Sequence, residues 1–192
     1  MSTPKAGCFR FLGLVALAAI ALPAASQADT MDFSWAELAY VDSEFGNLNG
    51  DGISLRGSLP VNDTFFVFAS YWDVGYDFNV DLTSIEVGGG VHLPFNDTVQ
   101  LVARFGLVKS DLDTNNSSRD DDGFTFGGHV RAVVAPRVEL EGGFDYIDLG
   151  TDPDTQLVMQ GRYFFTDNVA GNLRLEFGDD IDSMSFGVRV TF

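Results

Sequence analysis

Cysteine is nearly absent from this sequence. The one cysteine among 192 residues, Cys8, precedes an apolar run in a segment that has the marks of a removable signal. The mature chain would then hold no thiol, which excludes a disulfide framework and a thiolate metal site. A lipid-modified cysteine follows an apolar segment rather than preceding it, so we expect no lipidation.

Basic residues are also scarce, with 11 Lys and Arg against 28 Asp and Glu. Removal of Lys5 and Arg10 with the signal would leave nine against 28, a formal charge of −19. Binding to nucleic-acid phosphates depends on clustered Lys and Arg that release counterions. No nucleic-acid partner is therefore expected, and no cofactor.

An apolar segment long enough to span a bilayer as a helix is missing too. The run Phe11–Leu22 is shorter than the roughly 20 residues that such a helix needs. Two basic residues precede it, and Ser26-Gln27-Ala28 follows with the small residues that signal peptidase reads. We predict a signal peptide over residues 1–28 and a single domain over residues 29–192.

The mature chain is rich in alternating apolar and polar residues, the period of a β-strand. In the last segment apolar Met184, Phe186, Val188, Val190 and Phe192 alternate with small or polar residues. Ten such segments begin near Phe33, Gly52, Phe65, Thr83, Thr98, Gly123, Val138, Gln156, Val169 and Ser183. The pattern predicts an all-β fold, an antiparallel up-and-down transmembrane barrel of ten strands, with eight as the alternative.

The segments between these strands are of two kinds. LPVNDT at residues 59–64 returns as LPFNDT at residues 93–98, and shorter turn signals occur at residues 135–137 and 166–168. Between these tight turns lie longer acidic segments, at residues 43–51, 75–82, 110–122, 149–155 and 178–182. Short periplasmic turns and longer extracellular loops are typical of an outer-membrane barrel. An even strand count puts both termini on the periplasmic side.

A soluble sandwich or a lipocalin-like barrel would also alternate, but with its apolar face inward. The polar face favours the membrane barrel, because its charges can pair inside a lumen. The lumen ion-pair candidates are Arg56, Glu86, Arg104, Arg131, Glu139, Glu141, Arg162, Arg174, Glu176 and Arg189. Glu37 and Asp145 bring the set to six arginines and six acids, and pairing is expected because lone buried charges are costly. For Arg131, both Glu139 and Glu141 are candidate partners.

The signal peptide, the alternating strands and the ending GVRVTF resemble the OmpA/OmpX and opacity-protein group of small outer-membrane barrels. The resemblance implies a monomer in the Gram-negative outer membrane, in contact with outer-membrane lipids and lipopolysaccharide. It also implies that the outer-membrane assembly machinery reads the last strand, which here presents Met184, Phe186, Val188, Val190 and Phe192.

Signals for chemistry are weak. His92 falls beside a periplasmic turn and His129 on the inner face in mid-strand, so neither is at the outer rim or on the lipid-facing wall, where barrel enzymes use His. Asn47 and Asp51 resemble the opening of a calcium loop, but Ser58 stands where the closing Glu is needed, so no metal site is expected. We predict a non-enzymatic porin-like surface protein that supports envelope integrity or surface contacts. The alternatives are a narrow pore for small solutes and, less favoured, an enzyme acting on lipid or peptide.

Overall fold

The computed structural model describes residues 31–115, 117–150, 153–179 and 181–192. The predicted signal peptide, residues 1–28, lies outside the described residues. No helix in the described ranges is long and apolar enough to cross a membrane. The strands are β1 (Trp35–Phe45), β2 (Leu48–Pro60), β3 (Phe65–Tyr76), β4 (Val80–Asn96), β5 (Val99–Thr114), β6 (Ser117–Ala135), β7 (Val138–Asp148), β8 (Asp154–Phe164), β9 (Val169–Phe177) and β10 (Ile181–Thr191).

The strands form one closed sheet. Each pairs antiparallel with its neighbours in the chain, and β1 completes the circle by pairing with β10. Glu37 of β1 lies opposite Arg189 across this seam and opposite Arg56 of β2 on its other side. The predicted all-β, ten-stranded, up-and-down barrel is therefore confirmed, and every strand pairs with a neighbour on both sides.

The two faces of the sheet separate apolar from charged residues. Outward Leu38 and Val188 are 58% and 50% exposed, whereas inward Glu37 and Arg131 are 2% and 4% exposed. A soluble barrel would show the reverse arrangement. An apolar exterior around a charged interior is stable where that exterior meets lipid.

The tight turns at the end of the barrel where β1 begins and β10 ends are fixed by side-chain caps. Asn62 Oδ1 accepts a hydrogen bond from the backbone N–H of Thr64 at 2.9 Å. In the second copy of the repeat, Asn96 Oδ1 accepts the equivalent bond from Thr98, also at 2.9 Å. In the turn after β8, Thr166 Oγ1 accepts hydrogen bonds from the backbone N–H groups of Asn168 at 3.3 Å and Val169 at 3.0 Å. The repeated NDT motif thus reflects one local solution for reversing the chain.

The prediction of long acidic loops at the opposite, outer end is wrong for most of them. β1 runs to Phe45 and β2 begins at Leu48, so residues 46–47 alone connect them, with Gly46 in the left-handed region at φ +62°. β5 and β6 continue through the acidic segment and are joined by residues 115–116. Outside lipid, both faces of a strand meet water. Polar residues can therefore continue the hydrogen-bonded strand pairing without alternation. The amino-acid composition then no longer shows where a strand ends.

The β5–β6 hairpin projects beyond the neighbouring strand. β6 pairs with β7 from Phe124 onward, whereas the stretch from Ser117 to Gly123 pairs with β5. This stretch contains Asp120, Asp121 and Asp122. The outer rim is therefore uneven, with an acidic hairpin as a raised part of its wall.

Candidate functional site in the barrel lumen

Glu37 is the centre of an ion-pair triad at the seam. The Arg56 Nη2 atom lies 2.6 Å from its Oε1, and Arg189 Nε donates to its Oε2 at 2.9 Å. Both arginines are direct cross-strand neighbours of Glu37, so the register of β1 brings them together. The Glu37 side chain has no exposed surface, and two guanidinium groups compensate its charge.

A second group of charges surrounds Glu139. Arg131 Nη2 donates to Glu139 Oε2 at 2.9 Å, and Arg131 Nε lies 2.8 Å from Oε1. Arg162 also donates to Glu139, and its Nη2 lies 2.6 Å from Glu141 Oε2. Of the two candidate partners of Arg131, the contact is made with Glu139. Glu141 is its direct neighbour in the register but binds Arg162 instead.

Gln160 joins these two groups, and the sequence analysis missed it. Its Nε2 donates to Glu37 Oε2 at 3.3 Å, and its Oε1 accepts from Arg162 Nη2 at 2.6 Å. The amide is suited to this place because it donates to the carboxylate and accepts from the guanidinium. The available signal was its position two residues before Arg162, on the same face of β8.

The third group is built around Asp145. Arg104 donates to it through Nε at 3.0 Å and Nη2 at 2.5 Å, a bidentate contact. His129 Nε2 lies 2.9 Å from Asp145 Oδ1, and its Nδ1 lies 3.4 Å from Glu141 Oε1. His129 therefore connects this group with the second one, which accords with the inner-wall position that the alternation predicts.

The remaining predicted lumen residues extend the network toward the outer end. Arg174 Nη2 lies 3.7 Å from Asp145 and donates to Glu176 Oε1 at 2.7 Å. Glu176 also accepts a bond from Ser183 at 3.0 Å. Glu86 binds hydroxyl groups, those of Thr125 and Ser70. The contacts of Glu37, Glu139 and Asp145 thus form one continuous network inside the barrel.

An aromatic group lies beneath the network, at the end of the barrel where β1 begins and β10 ends. Phe33, which precedes β1, turns into the lumen and stacks on Phe66 at 4.5 Å and on His92 at 4.2 Å between ring centroids. The Arg131 guanidinium lies 5.2 Å from the centre of the Phe33 ring. Phe33 was expected to open the first strand, and its place inside the barrel could not be derived from alternation.

A cavity of about 500 Å³ lies on the outer side of the network. Its floor includes Arg56, Arg104 and Glu176, and its walls include Trp72 and Leu82. It is a part of the lumen that the ion pairs leave unfilled. Among the described residues, no group of three or more His, Cys, Asp and Glu side chains is arranged to hold a metal ion.

The residues predicted as an assembly signal lie together on the outside of the seam strand. Met184, Phe186, Val188 and Val190 of β10 are between 43% and 54% exposed, and Phe192 follows the strand at 64%. They form one outward row at the edge where the barrel closes. Their recognition by the assembly machinery stays a prediction.

The chain matches one protein family and is similar to several solved outer-membrane structures. Residues 12–158 match the family model described as outer membrane protein beta-barrel domain. No curated protein matches the chain. An outer-membrane channel from Pseudomonas putida F1 is 9% identical, covers 88% of this chain and 99% of that one, and has a TM-score of 0.51. The corresponding values for the NanC porin are 9%, 82%, 100% and 0.50, and those for Neisserial surface protein A are 19%, 82%, 95% and 0.43.

At an identity of 9%, the outer-membrane channel and the NanC porin show similarity of fold alone. The family match carries more weight because it extends over well over half of the chain. It agrees with the closed sheet, the apolar exterior and the charged interior. The predicted resemblance to small outer-membrane barrels is confirmed: the chain belongs to the outer-membrane β-barrel protein family and is a protein of the outer membrane.

Proposed function

We propose that this protein is a non-enzymatic surface barrel that supports envelope integrity or contacts at the cell surface. The observation that carries the proposal is the continuous network of ion pairs across the lumen. Glu37, Glu139 and Asp145 each lie within ion-pair distance of two arginines there. Side chains held in this way occupy the space that a solute would need, and ten strands enclose little more than their own side chains.

The acidic outer hairpin supports the surface role. Lys109 lies 3.8 Å from Asp111 and 3.9 Å from Asp120, and Arg119 lies 2.8 Å from Asp121. These pairs are exposed and therefore stabilise the hairpin weakly. The hairpin still carries more acids than bases. Divalent cations between these carboxylates and lipopolysaccharide phosphates would connect the barrel with the surrounding lipid.

A narrow pore for small solutes is the second candidate. The cavity on the outer side of the network favours it, since in the described part of the chain the network and the Phe33 group are what separates this cavity from the periplasmic end. The two functions differ in whether ions pass through the lumen of the unmodified protein.

Single-channel conductance in planar bilayers tests the choice between them. We expect no steady conductance from the refolded protein. We expect a conducting state from the triple variant Phe33→Ala/Arg131→Ala/Glu139→Ala, which removes the aromatic ring and both members of one ion pair. A lipid-facing triple variant, Val130→Ala/Leu140→Ala/Leu173→Ala, is the matched control and should stay silent. Steady conductance of the unmodified protein would instead support the pore.

Export through a cleaved signal peptide is part of this proposal. N-terminal sequencing of the protein from outer membranes should begin at Asp29. Assays of lipid A and peptide hydrolysis address the enzyme alternative, and we expect no turnover in either. Reproducible hydrolysis that is lost with His129→Ala would contradict the non-enzymatic function.

A further inference from the structure

The cavity in the outer half of the lumen has a charged floor. Nine charged residues line the cavity: Arg119, Asp121 and Asp154 near its outer end, and three basic and three acidic residues that form its floor, Arg56, Arg104, Arg174, Glu86, Asp145 and Glu176. Three of the six keep accessible surface although they face inward: the side chains of Arg56, Arg104 and Glu176 are 16%, 22% and 23% exposed. Because the outside of the barrel is on the other face of the sheet, this surface is presented to the cavity.

The walls above the floor are largely apolar. Trp72 and Leu82 belong to a hydrophobic cluster with Val41, and Leu112, Ile147 and Ile181 line other sides of the cavity. The Ser84 and Ser110 hydroxyls, 3.0 Å apart, are among the uncharged polar groups of the lining, which also include Ser54, Ser70, Thr125, Gln156, Ser183 and Ser185. A concave site of a few hundred Å³ with apolar walls and a few convergent polar groups is the usual form of a small-molecule site.

The balance of charge selects the class of molecule. The floor holds three positive and three negative groups, and the whole lining holds four and five, so a ligand with one net charge would leave one member of the floor set uncompensated inside the barrel. The acidic outer rim also disfavours the entry of anions. A zwitterion avoids both costs, since its carboxylate can face Arg56 or Arg104 while its ammonium group faces Glu176.

We propose that this cavity is a binding site for small zwitterionic molecules with an apolar side group, of which an apolar amino acid is the simplest case. The site goes beyond the surface role proposed above. Binding at this site requires the cavity in the outer half of the lumen alone and does not depend on whether the lumen conducts ions.

Fluorescence titration of the full mature protein in lipid nanodiscs tests the proposal. Trp35 and Trp72 are the two tryptophans of the sequence, so the variant Trp35→Phe leaves Trp72 in the cavity wall as the reporter. Three probes share one apolar body and differ in charge: L-phenylalanine, 3-phenylpropionate and 2-phenylethylamine. We expect a saturable signal with L-phenylalanine and at least tenfold weaker binding of each singly charged probe, since each lacks one charged contact.

Blocking the cavity provides the structural control. Ser110→Phe fills the cavity from its wall and should abolish the fluorescence signal. Leu112→Trp adds a tryptophan, so its binding is measured by calorimetric titration, and we expect it to be at least tenfold weaker. Ser118→Phe places the same ring on the exposed outer face of the same hairpin and should leave binding unchanged. Absence of a saturable signal with L-phenylalanine, equal affinity for all three probes, or full binding by the two cavity variants would each overturn the proposal.

Discussion

At the scale of single residues, the inner wall depends on long side chains that reach past their nearest neighbour. Arg131 lies opposite Glu141 in the register but contacts Glu139. The inward position of each charged residue could be predicted from the sequence because it follows from period two alone. The choice of partner could not be predicted, since diagonal and direct neighbours are both within reach of Arg and Glu. Gln160 was missed because charge was the signal that was followed.

Replacement of Arg131 by Leu tests the energetic role of this wall. The change leaves buried Glu139 with Arg162 as its remaining cationic partner. We expect the free energy of unfolding to fall by about 3 kcal/mol. Removal of one member of a buried ion pair costs roughly 3 to 5 kcal/mol, and Arg162 offsets some of that cost. Thermal or urea unfolding of the refolded protein measures it.

The neighbouring residue on the other face is the control. Val130 is outward and 48% exposed, so Val130→Leu should change stability by less than about 0.5 kcal/mol. Val130→Arg should be harmful, at about 2 to 4 kcal/mol if the residue is near the middle of the bilayer. An unchanged Arg131→Leu variant together with a tolerated Val130→Arg variant would mean that the two faces of β6 are assigned the wrong way round.

At the scale of elements, the strands could be predicted more reliably than their ends. The predicted starts of β3, β7 and β9 coincide with the observed ones at Phe65, Val138 and Val169. The start of β6 was expected at Gly123 and lies at Ser117. Alternation reports where one face meets lipid, so it identifies the membrane-spanning part of a strand. It is silent about the part beyond the bilayer, where both faces are solvated.

Close approach of two strands explains a glycine in β7. A Cβ atom on Gly143 would lie 2.2 Å from the backbone oxygen of Gly128 and 2.7 Å from the Cα of His129. Gly143→Ala must therefore displace the backbone, and we expect the free energy of unfolding to fall by about 1 to 3 kcal/mol. A Cβ atom on Gly161 would meet only Leu140, at 3.5 Å. Gly161→Ala should thus be close to neutral in the same unfolding experiment, and equal losses in both variants would contradict this explanation.

The last strand is expected to serve assembly more than stability. Phe192 is exposed, and its backbone N–H donates to Ser34 at 3.0 Å. We predict that deletion of Phe192 lowers the amount of protein in the outer membrane several-fold, while the purified chain still folds in detergent. Immunoblots of membrane fractions and refolding yields measure the two effects. Undiminished membrane levels in the deletion strain would exclude this role.

At the scale of the whole molecule, closure of the sheet has a simple biochemical signature. The closed barrel should resist unfolding in detergent at room temperature and unfold on boiling, so its migration on gels should depend on heating. The same protein should sediment with outer membranes and not with the soluble periplasmic fraction. Recovery of the protein in the soluble periplasmic fraction would contradict its assignment to the outer membrane.

The seam between β1 and β10 has a consequence for how the barrel reaches its final form. Glu37 obtains Arg189 from a strand 152 residues away in the chain, so this partner arrives when the first and last strands meet. A sheet that stops one step short of closure keeps the buried Glu37 carboxylate with Arg56 alone of its two arginines. We therefore expect errors of register at the seam to be penalised, because they separate Glu37 from Arg189.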